Sequence, residues 1–245
     1  SEHRRQLLDW GSFHVEHSYI NLYKDYLKAL KQRNSLLKKN DLINIGYWTD
    51  LVSDLGTKIN SARKAYFDDF NNAFQNIKEE MQTLLPNIYA DIKDCKVSYY
   101  QGWDNNISLK EALSNTLEKD SIIKHTTTGP HRADMIFSVG TSELKNTSSM
   151  STQIISSLLV IISQAKVFHV KHKYNPIILI DDLFFGIDDK NLQLVINLLV
   201  SSKAQCFLTA PDLYRAKLED IADNKNVKIY MFENNKLMEI NNGKQ

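Results

Sequence analysis

The chain has 245 residues, 42% of them hydrophobic and 24% charged, with eight glycines, four prolines and a formal net charge of +1. This composition excludes a disordered or fibrous chain. It also offers no bulk electrostatic ground for nucleic-acid binding, so any basic footprint must be local.

From Tyr19 the apolar residues fall at Tyr19, Tyr23, Tyr26 and Leu30, a spacing that predicts an amphipathic helix over 18–38. Within 24–39, Lys24, Lys28, Lys31, Arg33, Lys38 and Lys39 are opposed only by Asp25, so this stretch is either a solvated basic face or a phosphate-contacting one. A longer series follows at Trp48, Val52, Leu55, Ile59, Ala62, Tyr66, Phe70, Phe74, Ile77, Met81 and Leu84, and stops at Pro86. Two such helices with a short polar connection prefer to lie antiparallel, as an arm. Beyond them the sequence predicts a strand over 94–100, a turn at Gly102-Trp103-Asp104-Asn105-Asn106 and a helix near 109–120.

From Ala133 onward, strand patterns at 133–139, 176–181, 205–209, 227–232 and 236–240 alternate with helices at 152–171, 190–201 and 213–223. The expected fold class is α/β with a partly parallel sheet, in one domain with a helical outgrowth. The longest apolar stretch, 154–162, is broken by Ser156 and Ser157 and reads as a core helix rather than a membrane span. The N-terminus reads as helix-forming and charged rather than as a secretory signal. Cys95 and Cys206 lack the spacing of a zinc site or a disulfide framework and fit a reducing cytosol.

The chemistry concentrates at Ile177-Ile178-Leu179-Ile180-Asp181-Asp182, four branched aliphatic residues ending in two carboxylates. In open α/β sheets ligands gather at the carboxyl ends of strands. There Asp181 can join the water shell of a phosphate-bound Mg²⁺, and Asp182 can polarise an attacking water. The bland alternative is a buried strand ending in a polar turn. Phe184-Phe185-Gly186-Ile187-Asp188-Asp189 follows, with Asp188 or Asp189 as the N-cap of the next helix. Gln205-Cys206-Phe207-Leu208-Thr209 is a second aliphatic strand ending in a hydroxyl, either a polar switch near a γ-phosphate or a local cap. No Gly-x-x-x-x-Gly-Lys-Ser/Thr occurs among the 245 residues, so they are not expected to cradle a triphosphate unaided.

Several blocks, in order, resemble the RecF family of recombinational-repair ATPases, which are SMC-like members of the ABC class. These are Leu8-Asp9-Trp10-Gly11-Ser12-Phe13-His14-Val15-Glu16, Ala29-Leu30-Lys31-Gln32-Arg33-Asn34, Tyr100-Gln101-Gly102-Trp103 and Thr128-Gly129-Pro130-His131-Arg132-Ala133-Asp134, followed by the acidic and Thr209 strands. The resemblance implies that 126–245 is the C-terminal lobe of an ABC-type ATPase head and 1–125 its helical arm. An N-terminal lobe bearing the Walker A loop would lie outside these residues. It also implies ATP and Mg²⁺ as cofactors once that lobe is present, an ATP-dependent homodimer that clamps gapped DNA, RecR and RecO as partners, and a bacterial cytoplasm as the setting. Asp181 then serves the metal, Asp182 catalysis, Asp188 the D-loop and Thr209 the switch. His131 and Arg132, after the turn forced by Gly129-Pro130, would face phosphates or an interface, as would Lys28, Lys31 and Arg33. The rival reading of that block is an Arg132–Asp134 ion pair anchoring a loop.

One departure stands out. The family signature, Leu-Ser-x-Gly-Gln, places Ser149 at its serine, but Ser151 replaces the glycine and Thr152 the glutamine. Shifting by one keeps Gln153 and loses the serine to Met150. A Cβ where backbone must approach phosphate works against ATP sandwiching. A RecF-derived DNA- or protein-binding scaffold without turnover is therefore the alternative to a working ATPase.

Overall fold

A computed structural model describes residues 2–84, 86, 92–140, 142–143, 149–182, 189–202, 204–214 and 227–240. It begins with three helices, α1 (Glu2–Val15), α2 (Tyr19–Lys39) and α3 (Ile45–Leu84). Helix α2 ends where Asn40 adopts a left-handed conformation (φ 59°) and donates its N–H to the last carbonyls, leaving a short turn before α3. Near the start of α2, Tyr19 meets Arg63 of α3, whereas near its end Arg33 meets Thr49, so the two helices run antiparallel as their spacing predicts.

The chain divides into two compact units, Ser1–Asn76 with Asp94–Thr147, and Ile77–Lys93 with Ser148–Gln245. This differs from the expected boundary after residue 125. Strand β2 (Asp134–Val139) pairs antiparallel with β1 (Cys95–Tyr100), from Cys95 opposite Val139 to Tyr100 opposite Asp134, and β3 (Ser142–Glu143) extends that sheet. The segment after 125 is therefore held to the first unit by sheet hydrogen bonds.

In the first unit, Tyr19, Tyr26, Ala29 and Leu30 of α2 pack with Val52 and Ile59 of α3. Trp103 and the short α4 (Leu109–Asn115) complete this core, and α5 (Leu117–Ile123) follows. Ser108 caps α4 by accepting the Glu111 N–H at 3.1 Å. The buried stripe of α3 is not quite the one its apolar residues suggest. Val52, Gly56, Ile59, Arg63, Tyr66 and Phe70 are buried, while Leu55 and Ala62 are only half-buried. Gly11 of α1 permits the closest approach, since a Cβ there would lie 1.9 Å from the Tyr66 ring.

In the second unit α6 (Met150–His172) is the core helix, with Ile155, Leu158, Leu159, Ile162 and Phe168 buried. Its length and composition alone would let it cross a membrane, but 11 of its 23 residues are buried, as in the core helix of a folded unit. β4 (Ile177–Ile180) and β5 (Gln205–Leu208) form a parallel pair in register from Ile177 opposite Gln205 to Ile180 opposite Leu208. α7 (Asp189–Ser201) lies between them in sequence. β6 (Ile229–Glu233) and β7 (Lys236–Ile240) make a hairpin whose turn residues, Asn234 and Asn235, both take positive φ, the turn that matches strand twist. The described part of the expected 213–223 helix is a short 3-10 turn, Asp212–Tyr214.

Candidate functional site

β4 buries Ile178 and leaves Ile177 and Leu179 exposed on its other face, so the strand carries its two carboxylates out at its carboxyl end. The parallel register sets Thr209 beside them, with its N–H donating to Ile180 O at 3.1 Å. The Thr209 hydroxyl donates to Asp181 Oδ1 and accepts the Asp182 N–H at 3.1 Å. One hydroxyl thus ties both residues together. Asp182 sits in the left-handed region at φ 53°, which Asp tolerates better than most side chains, and both carboxylates are exposed.

Among the described residues no group of three His, Cys, Asp or Glu is placed to hold a metal. Asp181, with one oxygen engaged by Thr209 and the other without a partner among the described residues, fits Mg²⁺ held chiefly by phosphates and water. Asp188 lies outside the described residues.

The signature-like segment opens α6. Ser149 is its N-cap, extended at φ −61° and ψ 161°, and its Oγ accepts the Thr152 N–H at 3.2 Å while pairing with Thr152 Oγ1 at 2.9 Å. Ser151 is half-buried in the first turn. The helix therefore presents first-turn N–H groups of the kind that attract anions.

The turn before β2 is built from two glycines. Gly102 (φ 103°) and Gly129 (φ 136°) approach so closely that the Gly129 N–H donates to Gly102 O at 3.2 Å. A Cβ on Gly102 would lie 2.1 Å from Gly129 O. Pro130 then starts a single 3-10 turn, and its carbonyl accepts from Arg63 Nη1 at 2.6 Å. Arg63 is fully buried and also donates to Asp9 Oδ1 at 2.9 and 2.6 Å and to Tyr19 Oη at 2.9 Å. Burial works against its charge, yet Tyr19 and Asp9 outweigh it and raise its pKa above the ordinary arginine value.

His131 does not present a cation. Its Nδ1 accepts from the Tyr26 hydroxyl at 2.7 Å and its Nε2 donates to Thr126 O at 3.0 Å, since a carbonyl can only accept. Burial is the main cause that lowers its pKa, to about 4. His131 is therefore a neutral pin inside the loop.

Arg33 is likewise corrected from a phosphate-facing residue to a buried one. Its Nη1 pairs with Asp120 at 2.8 Å and donates to Thr126 Oγ1 at 2.6 Å, and both partners of the ion pair are fully enclosed. Asp134 pairs with Arg4 through two bonds of 3.0 and 2.7 Å, in place of the Arg132 pairing of the rival reading. Arg132 remains exposed. Lys28 is exposed and paired with Asp25 at 3.0 Å, and Lys31 is exposed.

Arg63, Asp9 and Asp120 are the structural residues that sequence reasoning passed over. A signal existed. Arg33 continues the Tyr26–Leu30 spacing of α2, and Arg63 continues the Gly56–Ile59 spacing of α3, so each arginine occupies an apolar stripe.

No protein-family model matches the chain. Over 210 residues, 85% of its length, the chain is 31% identical to the DNA replication and repair protein RecF of Shewanella baltica, of which it covers 56%. Over 231 residues, 94% of its length, it is 30% identical to the corresponding protein of Shewanella loihica, of which it covers 61%. A solved structure of the recombination mediator protein RecF with ATP, of the RecFOR pathway, superposes with a TM-score of 0.70 at 20% identity. That match covers 97% of this chain and 63% of the other. The chain thus has the fold of the matching part of that structure and spans 56–61% of these two curated relatives.

Proposed function

We propose, from its 30–31% identity to RecF proteins over 85% or more of its length, that the chain supplies one side of a composite ATP site in a DNA-binding repair protein. The observation that carries this reading is the Asp181–Thr209–Asp182 arrangement at the carboxyl ends of two parallel strands. Asp181 helps hold Mg²⁺, which neutralises charge on the phosphates. Asp182 orients and polarises the attacking water. Thr209, bonded to both, couples their positions to the presence of a γ-phosphate.

The other side must come from elsewhere in a polypeptide of the relatives' length. A parallel strand pair is ordinarily covered on both faces, yet Ile177, Leu179 and Phe207 are 60%, 74% and 53% exposed. We assign the covering layer and the phosphate-cradling loop to that further sequence. Ser149 and Ser151, at the start of α6, face the triphosphate bound by the opposite subunit of an ATP-dependent homodimer, and Asp188 lies in the loop that crosses the dimer. The dimer clamps DNA at gaps, with Arg132 at a phosphate or an interface and RecR and RecO as partners.

The test uses the full-length protein in sedimentation velocity with Mg²⁺ and ATP. We expect an ATP-dependent dimer that binds gapped duplex, and a protein that stays monomeric and indifferent to ATP refutes the proposal. One observation favours a second reading, a binding scaffold without turnover, because Ser151 stands where the signature has glycine. Under the ATPase reading Ser151→Gly raises turnover, whereas a nucleotide-binding protein unmoved by that change is the scaffold.

A further inference from the structure

The lysines of α2 are not equivalent. Lys28 is neutralised by Asp25 at 3.0 Å, but Lys31 and Lys38 are exposed and form no ion pair among the described residues. They border a groove of about 370 Å³ lined by Leu27, Leu30, Lys31, Asn34, Ser35 and Lys38, with no carboxylate in its wall. Leu27, Lys31, Asn34, Ser35 and Lys38 share one helix face by their spacing. Leu27 is 42% exposed there, whereas Leu30 is only 7% exposed and forms the floor.

Asn34 adds a directed donor. Its Oδ1 accepts both the N–H and the hydroxyl of Thr126, at 2.8 and 2.7 Å, which fixes which end of the amide is oxygen. Its NH₂ group has no partner among the described residues, and neither does the Ser35 hydroxyl. The groove therefore offers an apolar floor, two ammonium groups and neutral donors, with nothing to receive a cation.

We propose that this face of α2 docks an acidic amphipathic segment of a partner protein, with an aliphatic or aromatic side chain against Leu27 and Leu30 and carboxylates beside Lys31 and Lys38. A DNA backbone would satisfy the lysines but presents little apolar surface to Leu27, and an ordinary solvated face needs no groove. The proposal stands apart from the ATP site and survives or falls independently of it.

The test is selection of a displayed library of random peptides of roughly 12 residues on the intact chain, with affinities of the enriched peptides then measured by fluorescence anisotropy. We expect enrichment of Leu, Ile or Phe flanked by Asp or Glu, and binding that weakens with added salt. Leu27→Asp and Lys31→Glu should each weaken it by about tenfold or more. Lys64→Glu, the same charge change at an exposed site on α3, should leave it unchanged. Tryptophan fluorescence checks that each variant is folded. Enriched peptides without the acidic–apolar pattern, or binding indifferent to Leu27→Asp and Lys31→Glu alike, overturn the proposal. It also falls if a duplex of about 20 base pairs binds and Lys31→Glu abolishes that binding while no peptide is enriched.

Discussion

Replacing Asp120 by Ala should be among the most damaging single changes in the first unit. Asp120 and Arg33 are both fully enclosed and 2.8 Å apart. Asp120 also accepts from the Thr127 N–H at 2.9 Å and the Thr127 hydroxyl at 2.7 Å. Without it Arg33 keeps hydrogen bonds to Thr126 and Thr49 but loses the only anion paired with it among the described residues. One of its nitrogens, Nη2, already lacks a partner there. Breaking a buried pair from one side typically costs about 3–5 kcal/mol, against a total stability of about 5–15 kcal/mol for a domain. Urea unfolding followed by tryptophan fluorescence reads this directly, because Trp10, Trp48 and Trp103 all lie in the first unit. We expect the midpoint to fall sharply for Asp120→Ala. The double variant Arg33→Met with Asp120→Leu should recover much of the loss, since it leaves no charge stranded. A cost under about 1 kcal/mol for Asp120→Ala would refute the claim that this pair is a desolvated anchor.

His131 makes the first unit pH-sensitive. Its pKa lies near 4 in the folded chain against 6.5 ordinarily, so its contribution is fully present above about pH 6.5 and is lost as pH falls toward 4, by about 3 kcal/mol. His131→Gln should flatten the difference between urea midpoints at pH 7 and pH 4.5, and equal slopes for both proteins would show that the ring is not held neutral. Gly102→Ala forces a Cβ against Gly129 O at a positive φ and should cost about 2–4 kcal/mol in the same unfolding assay. Gly46→Ala, in open space in the first turn of α3, should be neutral or stabilising by up to about 1 kcal/mol. Thr209→Val removes the hydroxyl shared by Asp181 and Asp182 and should lower Mg²⁺-dependent ATP turnover of the full-length protein. Thr209→Ser should preserve that turnover, and indifference to both changes would remove Thr209 from the site.

Most elements were legible because their signals are local. The tyrosine spacing of α2, the stop at Pro86 and the aliphatic run before Asp181 each lie within one element, and the structure puts α2, α3 and β4 within a few residues of those marks. What was not legible depends on partners far away in sequence. Asp9 and Arg63 are 54 positions apart and Arg33 and Asp120 are 87 apart, and arginine is so seldom buried that Arg33 reads as part of a basic face despite its place in an apolar stripe. The same holds for His131, whose sequence neighbours suggest a cation but whose neutral state is imposed by Tyr26 from α2 and by burial. The two compact units likewise differ from the expected boundary after residue 125 through a pairing distant in sequence. β2 follows the change in sequence texture, yet its hydrogen-bonding partner is β1, on the earlier side.

The most direct test of the composite-site proposal is single-turnover ATP hydrolysis by the full-length protein on gapped DNA, comparing the natural sequence with Asp182→Asn. We expect the variant to retain ATP binding while hydrolysis falls by at least about a hundredfold. An unchanged hydrolysis rate in Asp182→Asn would contradict the assignment of this strand end to the chemistry of ATP.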